Sequence, residues 1–73
     1  MPLYISSLRS MTHAEKAKRL LQNAGIRCSI VGLDRTLTRH GCAYGIEYPA
    51  VFADKVRRIL RDNGLAYGDV LGR

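Results

Sequence analysis

The spacing of apolar residues changes from strand-like to helix-like twice along this chain, and this order most constrains its fold. Residues 3–8 predict a first strand. Thr12 and Glu15 form a capping box that predicts the start of a first helix, and Gly25 predicts its end. The apolar stripe of that helix has three- and four-residue spacing: Ala14, Ala17, Leu20, Leu21 and Ala24.

The second half repeats the pattern. Residues 26–33 predict a second strand, residues 34–41 a polar loop and residues 42–48 a third strand. Pro49 suits the first turn of a second helix that ends at Gly64, with Asp54 and Arg58 as an i,i+4 ion pair. Its apolar stripe is Val51, Phe52, Val56, Ile59 and Leu60. Residues 65–71 predict a short last strand.

This order predicts an α+β fold of the ferredoxin-like βαββαβ type, in one domain over residues 1–73. Two helices would cover one face of a four-stranded antiparallel sheet. The other face would be uncovered, and Tyr4, Tyr44 or Tyr48 would lie there if the strand parity allows. A second copy of the chain is the simplest cover, which predicts a homodimer, and a small core favours the same outcome. The alternative is a monomer whose polar face meets water.

Charge and hydropathy limit the partners. Twelve Lys and Arg against six Asp and Glu give a net charge of +6, which favours anionic partners. The basic residues of the two helices form either a phosphate-binding surface or solvated helix faces, and interspersed acidic residues favour the second interpretation. Neither a signal peptide nor an apolar run of about 20 residues is present, so we expect a cytoplasmic protein without a membrane span.

The strongest candidate for chemistry is Cys42, in the stretch Arg-His-Gly-Cys-Ala-Tyr-Gly at residues 39–45. Arg39 and a protonated His40, with Arg35 nearby in sequence, would stabilise a thiolate, and the glycines would let a partner approach. His40 is also a candidate base for the thiol, although Gly41 interrupts the extended geometry that such a pair needs. The alternative is a packed cysteine that acts as a small hydrophobic residue.

Two other classes of site fit less well. Cys28, Cys42, His13 and His40 lack the paired spacing of structural zinc ligands, so no metal site is predicted, and His13 is expected at the surface. The strand order is that of an RNA-recognition motif, but Cys42 and Glu47 replace stacking aromatics of its third strand. Parity places Tyr44 inward, and only a bulge at Gly45 would restore that alignment. Nucleic-acid binding is therefore not expected.

The whole chain resembles the selenium/sulfur carrier-like family of small bacterial proteins. The resemblance rests on the helix pattern at residues 12–21, the turn at residues 24–26, a Gly-Cys before the third strand and the helix end at residues 59–65. The cysteine of this family maps to Cys42, followed here by Ala43 where the family commonly has Gly. Cys28 has no counterpart, which fits a filler position in the second strand.

The resemblance implies a carrier that is not itself an enzyme and needs no cofactor. Cys42 would accept sulfur or selenium from a donor protein, as a persulfide or selenosulfide, and pass it to an acceptor protein. Arg39 and His40 would favour the thiolate. The competing hypothesis is a non-catalytic interaction or regulatory module, dimeric, that holds an acidic partner.

Overall fold

A computed structural model describes residues 2–34, 36, 43–65 and 70–72. Over these residues the chain forms one antiparallel sheet in the order β2-β3-β1-β4, with two helices. This confirms the predicted α+β, ferredoxin-like arrangement. The elements are β1 (Leu3–Leu8), α1 (Met11–Asn23), β2 (Ser29–Gly32), β3 (Tyr44–Pro49), a 3₁₀ turn (Ala50–Phe52), α2 (Ala53–Asp62) and β4 (Val70–Gly72).

The helix-side face of the sheet carries the core. Tyr48 is 2% exposed, and its hydroxyl lies 2.8 Å from Ser6 Oγ. The ring of Tyr4 meets that of Tyr48 edge to face, with centroids 6.5 Å apart, and Tyr44 packs partly buried against the same core. The inward position predicted for Tyr44 is therefore confirmed. The core residues are Leu8, Ala14, Ala17, Leu21, Ile26, Ile46, Tyr48, Val56, Leu60 and Leu65.

The central residues of the opposite face are buried. For these residues the prediction of an uncovered face is wrong. Ile5 is 4% exposed and Ser7 1% exposed. A Cβ built on Gly45 would lie 2.6 Å from Ile5 Cγ2 and 3.0 Å from Leu33 Cδ1, so these two side chains close over the Gly45 backbone. The register between β1 and β3 continues through Gly45 without a bulge. The alignment needed for RNA binding is therefore not formed.

Both helices end in the same hydrogen-bonded turn. Gly25 has φ +79° and Gly64 has φ +69°, the left-handed region that favours glycine. Ile26 N donates to Leu21 O at 2.9 Å, and Leu65 N donates to Leu60 O at 2.8 Å. These are Schellman motifs in which the residue after the glycine is buried. The predicted helix ends are thus confirmed.

The predicted start of α1 is wrong. Ser10 is the N-cap, since its backbone is extended and its side chain accepts a hydrogen bond from His13 N at 3.3 Å. Thr12 lies inside the first turn. One hydroxyl suffices to cap a helix, and Ser10, two residues after β1, takes that position and lets the helix begin at Met11.

The second half departs from the prediction at its boundaries. β2 begins at Ser29 because Ile26 is used in the Schellman turn. Pro49 ends β3, and a 3₁₀ turn comes before α2. That turn changes the phase of the apolar stripe, and Val51 is 72% exposed.

Two further details of the second half also differ. Asp54 forms its ion pair with Arg57, at 2.9 Å and i,i+3 spacing, and not with Arg58. The residues described of the last strand are Val70–Gly72. Leu65, where that strand was predicted to begin, is instead the buried end of the second Schellman turn.

Candidate functional site

The predicted reactive segment lies outside the described residues. It contains Arg35, Arg39, His40, Gly41 and Cys42, so their proposed roles remain predictions. The structure does describe the residues between which this segment lies. Leu33 N donates to Ala43 O at 2.8 Å, and Gly32 is the register partner of Tyr44. Cys42 therefore directly precedes a residue that is hydrogen-bonded to the chain at the end of β2.

The same end of the sheet carries the start of α1. Leu8 at the end of β1 is the register partner of Tyr44, and Arg9 and the N-cap Ser10 follow Leu8 directly. The first N–H groups of a helix lack partners within the helix and carry partial positive charge. The start of α1 therefore adds positive potential at the end of the sheet to which Cys42 is joined.

Asp34 contributes negative charge where the chain leaves β2. Thr36 donates two hydrogen bonds to Asp34 Oδ1, from its backbone N at 2.9 Å and from its Oγ1 at 2.8 Å. These bonds stabilise the carboxylate and lower the pKa of Asp34. The negative charge of Asp34 opposes the formation of a thiolate close to it.

His13 belongs to the helix cap. Its Nδ1 lies 2.8 Å from Ser10 Oγ, and the same oxygen accepts the backbone N–H of His13. The residue is half-buried, whereas the sequence predicted a surface position. The signal for this arrangement was the Ser-x-x-His spacing, in which His replaces the Glu or Gln of a capping box.

Cys28 is a free thiol in a setting that disfavours ionisation. Its Sγ lies 3.7 Å from Lys18 O, to which the thiol donates, and the side chain packs partly buried against the core. Burial raises the pKa of Cys28, and the positive charge of Lys18 only partly opposes this. A protonated thiol is a poor nucleophile. The expected filler role fits, although Cys28 lies just before β2 and not within it.

A surface cavity of about 330 Å³ adjoins Cys28 at the far end of the sheet. Ser29, the next residue, pairs with Glu47, whereas Ala43 lies at the other end of β3. Four residues of strand separate these positions, which is about 13 Å. The structure therefore does not bring Cys28 close to Ala43, the anchored residue that follows Cys42. The cavity is lined by Leu3, Arg27, Cys28, Ser29, Glu47, Tyr48 and Pro49.

A second surface cavity, of about 350 Å³, lies on α2 between Asp54, Arg57, Arg58 and Arg61. All four residues are exposed. Within the described ranges, no group of three or more His, Cys, Asp or Glu side chains is placed to hold a metal ion. The described helices also include none that is long and apolar enough to cross a membrane.

Comparison with known proteins identifies one family. The family described as "Putative Se/S carrier protein-like" matches residues 3–71, from the start of β1 into β4. The matched range includes Arg39, His40 and Cys42 as well as Cys28. No curated protein and no solved structure matches the chain.

Proposed function

Because this chain belongs to the Se/S carrier protein-like family, we propose that it carries sulfur or selenium on the thiol of Cys42. The observation that carries the proposal is the family match over residues 3–71, which includes this cysteine. A carrier of this kind takes part in a relay between proteins and has no turnover of its own. Its partners are a donor protein and an acceptor protein.

The proposed transfer is a thiol exchange in two steps. The Cys42 thiolate attacks the outer sulfur of a persulfide on the donor, and a new S–S bond forms. The bond between the two donor sulfurs breaks, and its electron pair leaves with the donor thiolate. A thiolate of the acceptor then attacks the outer sulfur on Cys42 in the same way. Atoms and electrons balance without an added oxidant or reductant, and selenium in the outer position follows the same course.

This chemistry needs a thiolate near neutral pH, and the charges around the segment support one. Arg39 and His40 adjoin Cys42 in sequence, and Arg35 lies in the same connection. The N-terminus of α1 lies at the end of the sheet to which Ala43 is anchored. Cationic neighbours and helix N-termini lower the pKa of a cysteine from about 8.5.

The surroundings of Cys28 make it a poor carrier, which favours Cys42 for this role. Burial raises the pKa of Cys28, and its thiol already donates to Lys18 O. Sulfur on Cys28 would also require an attacking group to reach a half-buried side chain. Cys28 therefore serves as an internal control for any reaction assigned to Cys42.

Mass spectrometry after incubation with a cysteine desulfurase and cysteine tests the proposal. We expect the added mass of one sulfur atom, mapped to the peptide with Cys42, in the wild type and in Cys28→Ser. The Cys42→Ser variant should gain none. Sulfur found on neither cysteine, or equally on both, would contradict the proposal, and the same incubation with selenocysteine and its lyase distinguishes the two elements.

A further inference from the structure

One side of α2 concentrates positive charge. Asp54, Arg57, Arg58 and Arg61 follow each other at i, i+3, i+4 and i+7, which places them on one stripe of the helix, and together they line the cavity of about 350 Å³. All are exposed, while Val56 and Leu60 on the opposite side are buried in the core. We call these four residues the arginine face.

The charges of this face are only partly neutralised. Arg57 contacts Asp54 at 2.9 Å, and Arg61 Nε lies 3.5 Å from Asp62 Oδ1. Among the described residues, Arg58 has no ion-pair partner. Like charges three and four positions apart on a helix repel each other and lower helix stability. This repulsion opposes the small gain from the two ion pairs, and an external anion would relieve it.

The direction of α2 relates the arginine face to the carrier segment. β3 runs from Tyr44 to Pro49, and α2 returns to the end of the sheet from which β3 started, since Val70 of β4 then pairs with Ser6 near the end of β1. Arg61, in the last turn of α2, lies towards that end. A protein bound along the arginine face would thus extend towards the end of the sheet at which Ala43 is hydrogen-bonded. Ala43 directly follows Cys42 in the sequence.

One observation favours protein carboxylates over nucleic acid as the anion. Guanidinium groups bind both carboxylates and phosphates, and Asp54 within the stripe repels either anion, so the charges alone do not decide between them. Single-stranded nucleic acids also require exposed aromatic rings on which bases stack. Tyr4, Tyr44 and Tyr48 pack against the helix-side core instead.

We propose that the arginine face is the docking surface for a carboxylate-rich surface of the donor protein. This inference rests on the proposed carrier function, because it assumes that a donor must hold its persulfide near Cys42. The chemistry of recognition is that of exposed guanidinium groups with carboxylates. Such contacts are weak singly, sensitive to salt, and chiefly increase the rate and orientation of association.

The test compares two triple variants of equal charge. Arg57→Gln, Arg58→Gln and Arg61→Gln together remove the arginine face, while Lys16→Gln, Arg19→Gln and Lys55→Gln remove the same charge from other exposed helix positions. Binding of a fluorescent polyglutamate peptide is measured by anisotropy at low salt. We expect the arginine-face variant to lose about tenfold in affinity and the control about twofold.

Sulfur transfer supplies the second readout. From the desulfurase at limiting concentration, the arginine-face variant should acquire sulfur on Cys42 about tenfold more slowly than the control. From inorganic polysulfide, which needs no docking, both should react at the wild-type rate. If the wild type takes up sulfur from no donor, the carrier proposal is wrong. The peptide measurement would still test whether the arginine face binds carboxylates.

The inference is overturned if both triple variants lose peptide binding equally. It is also overturned if an oligothymidylate of equal charge binds the wild type more tightly than the peptide and is released by the arginine-face variant. That second result would assign the surface to nucleic acid. Far-ultraviolet circular dichroism should show unchanged helix content in both variants, because all six positions are exposed.

Discussion

Each face of the sheet has one close contact between a large residue of one central strand and a small residue of the other. On the helix side, Tyr48 of β3 lies against the small Ser6 of β1. On the other side, Ile5 of β1 closes over Gly45 of β3. At these two contacts one strand is small where its partner is large, and a shift of register by one residue would move the side chains of one strand to the opposite face.

This comparison also separates structural residues from functional candidates. Three of the tyrosines, the residues most suggestive of nucleic-acid binding in the sequence, pack on the helix side and serve the core. Among the described residues, every reactive side chain in the interior of the sheet has a role in packing or hydrogen bonding. The proposed functions therefore lie in the segment before β3 and on the outer face of α2.

Gly45→Ala should break the complementarity on the side away from the helices. A Cβ at this position would lie 2.6 Å from Ile5 Cγ2 and 3.1 Å from the backbone Ser6 O, which cannot move freely. We expect a loss of about 3 kcal/mol in the free energy of unfolding. Urea denaturation followed by circular dichroism measures it.

Gly32→Ala is the matched control for Gly45. Gly32 lies in the neighbouring strand, and a Cβ there would have no heavy atom within 4 Å. We expect a change of less than about 0.5 kcal/mol. Equal losses in the two variants would show that close packing over Gly45 does not hold the sheet together.

Tyr48→Phe should break the complementarity on the helix side. It removes the hydroxyl at 2.8 Å from Ser6 Oγ and leaves a buried polar group unsatisfied. We expect a loss of about 2 kcal/mol in the free energy of unfolding. Tyr44→Phe is the control, because no hydrogen bond is made by the Tyr44 hydroxyl within the described residues, and an equal loss there would contradict the role of the Ser6 contact.

The same tyrosine predicts a dependence on alkaline pH. Burial raises the pKa of Tyr48, although the hydrogen bond from Ser6 partly opposes the effect. Since the folded pKa is the higher one, this contribution to stability is complete below about pH 10, the usual value, and is lost as the pH rises through the folded pKa. Urea midpoints of Tyr48→Phe should fall less between pH 9 and 11 than those of Tyr44→Phe, and parallel curves would refute the assignment.

Gly25→Ala and Gly64→Ala test whether the turns that end the two helices are equivalent. Both glycines have positive φ, and a Cβ added to either would have no heavy atom within 4 Å, so the cost arises from backbone conformation alone. We expect each substitution to lower the free energy of unfolding by about 1.5 kcal/mol. A clear difference between the two, measured by urea denaturation, would mean that the two helix ends are not equivalent.

Ser10→Ala should show where the halves differ, because only α1 of the two helices has a side-chain cap. Loss of the bond to His13 N should cost about 1 kcal/mol. Thr12→Ala is the control, and as a position within the first turn it should cost less than about 0.5 kcal/mol. The reverse order of losses in thermal unfolding would restore Thr12 as the cap.

Much of the fold could be predicted from the sequence because alternation and glycine position are local signals. The bounds of β1 and the ends of both helices follow from them. The start of α1 could not be decided from these local signals, because Ser10 and Thr12 both offer a capping hydroxyl. The exposure of Val51 and the pairing of Asp54 with Arg57 depend on the 3₁₀ turn before α2, which shifts the phase of the helix.

The candidate site was less accessible to sequence reasoning. The sequence indicated Cys42 through its basic neighbours, but not the anchoring of the next residue to the end of β2. It indicated Cys28 as a filler position, but not that the pKa of this thiol is raised. The raised pKa of Cys28 arises from tertiary burial, to which neighbouring residues in the sequence are no guide.

The most direct test of the central claim is the pH dependence of Cys42 alkylation by iodoacetamide in native Cys28→Ser. The account predicts a midpoint well below the usual cysteine value of about 8.5, and a rise towards it when Arg39 and His40 are replaced by Gln. A midpoint at or above the usual value, or a thiol that reacts only after denaturation, would contradict the account.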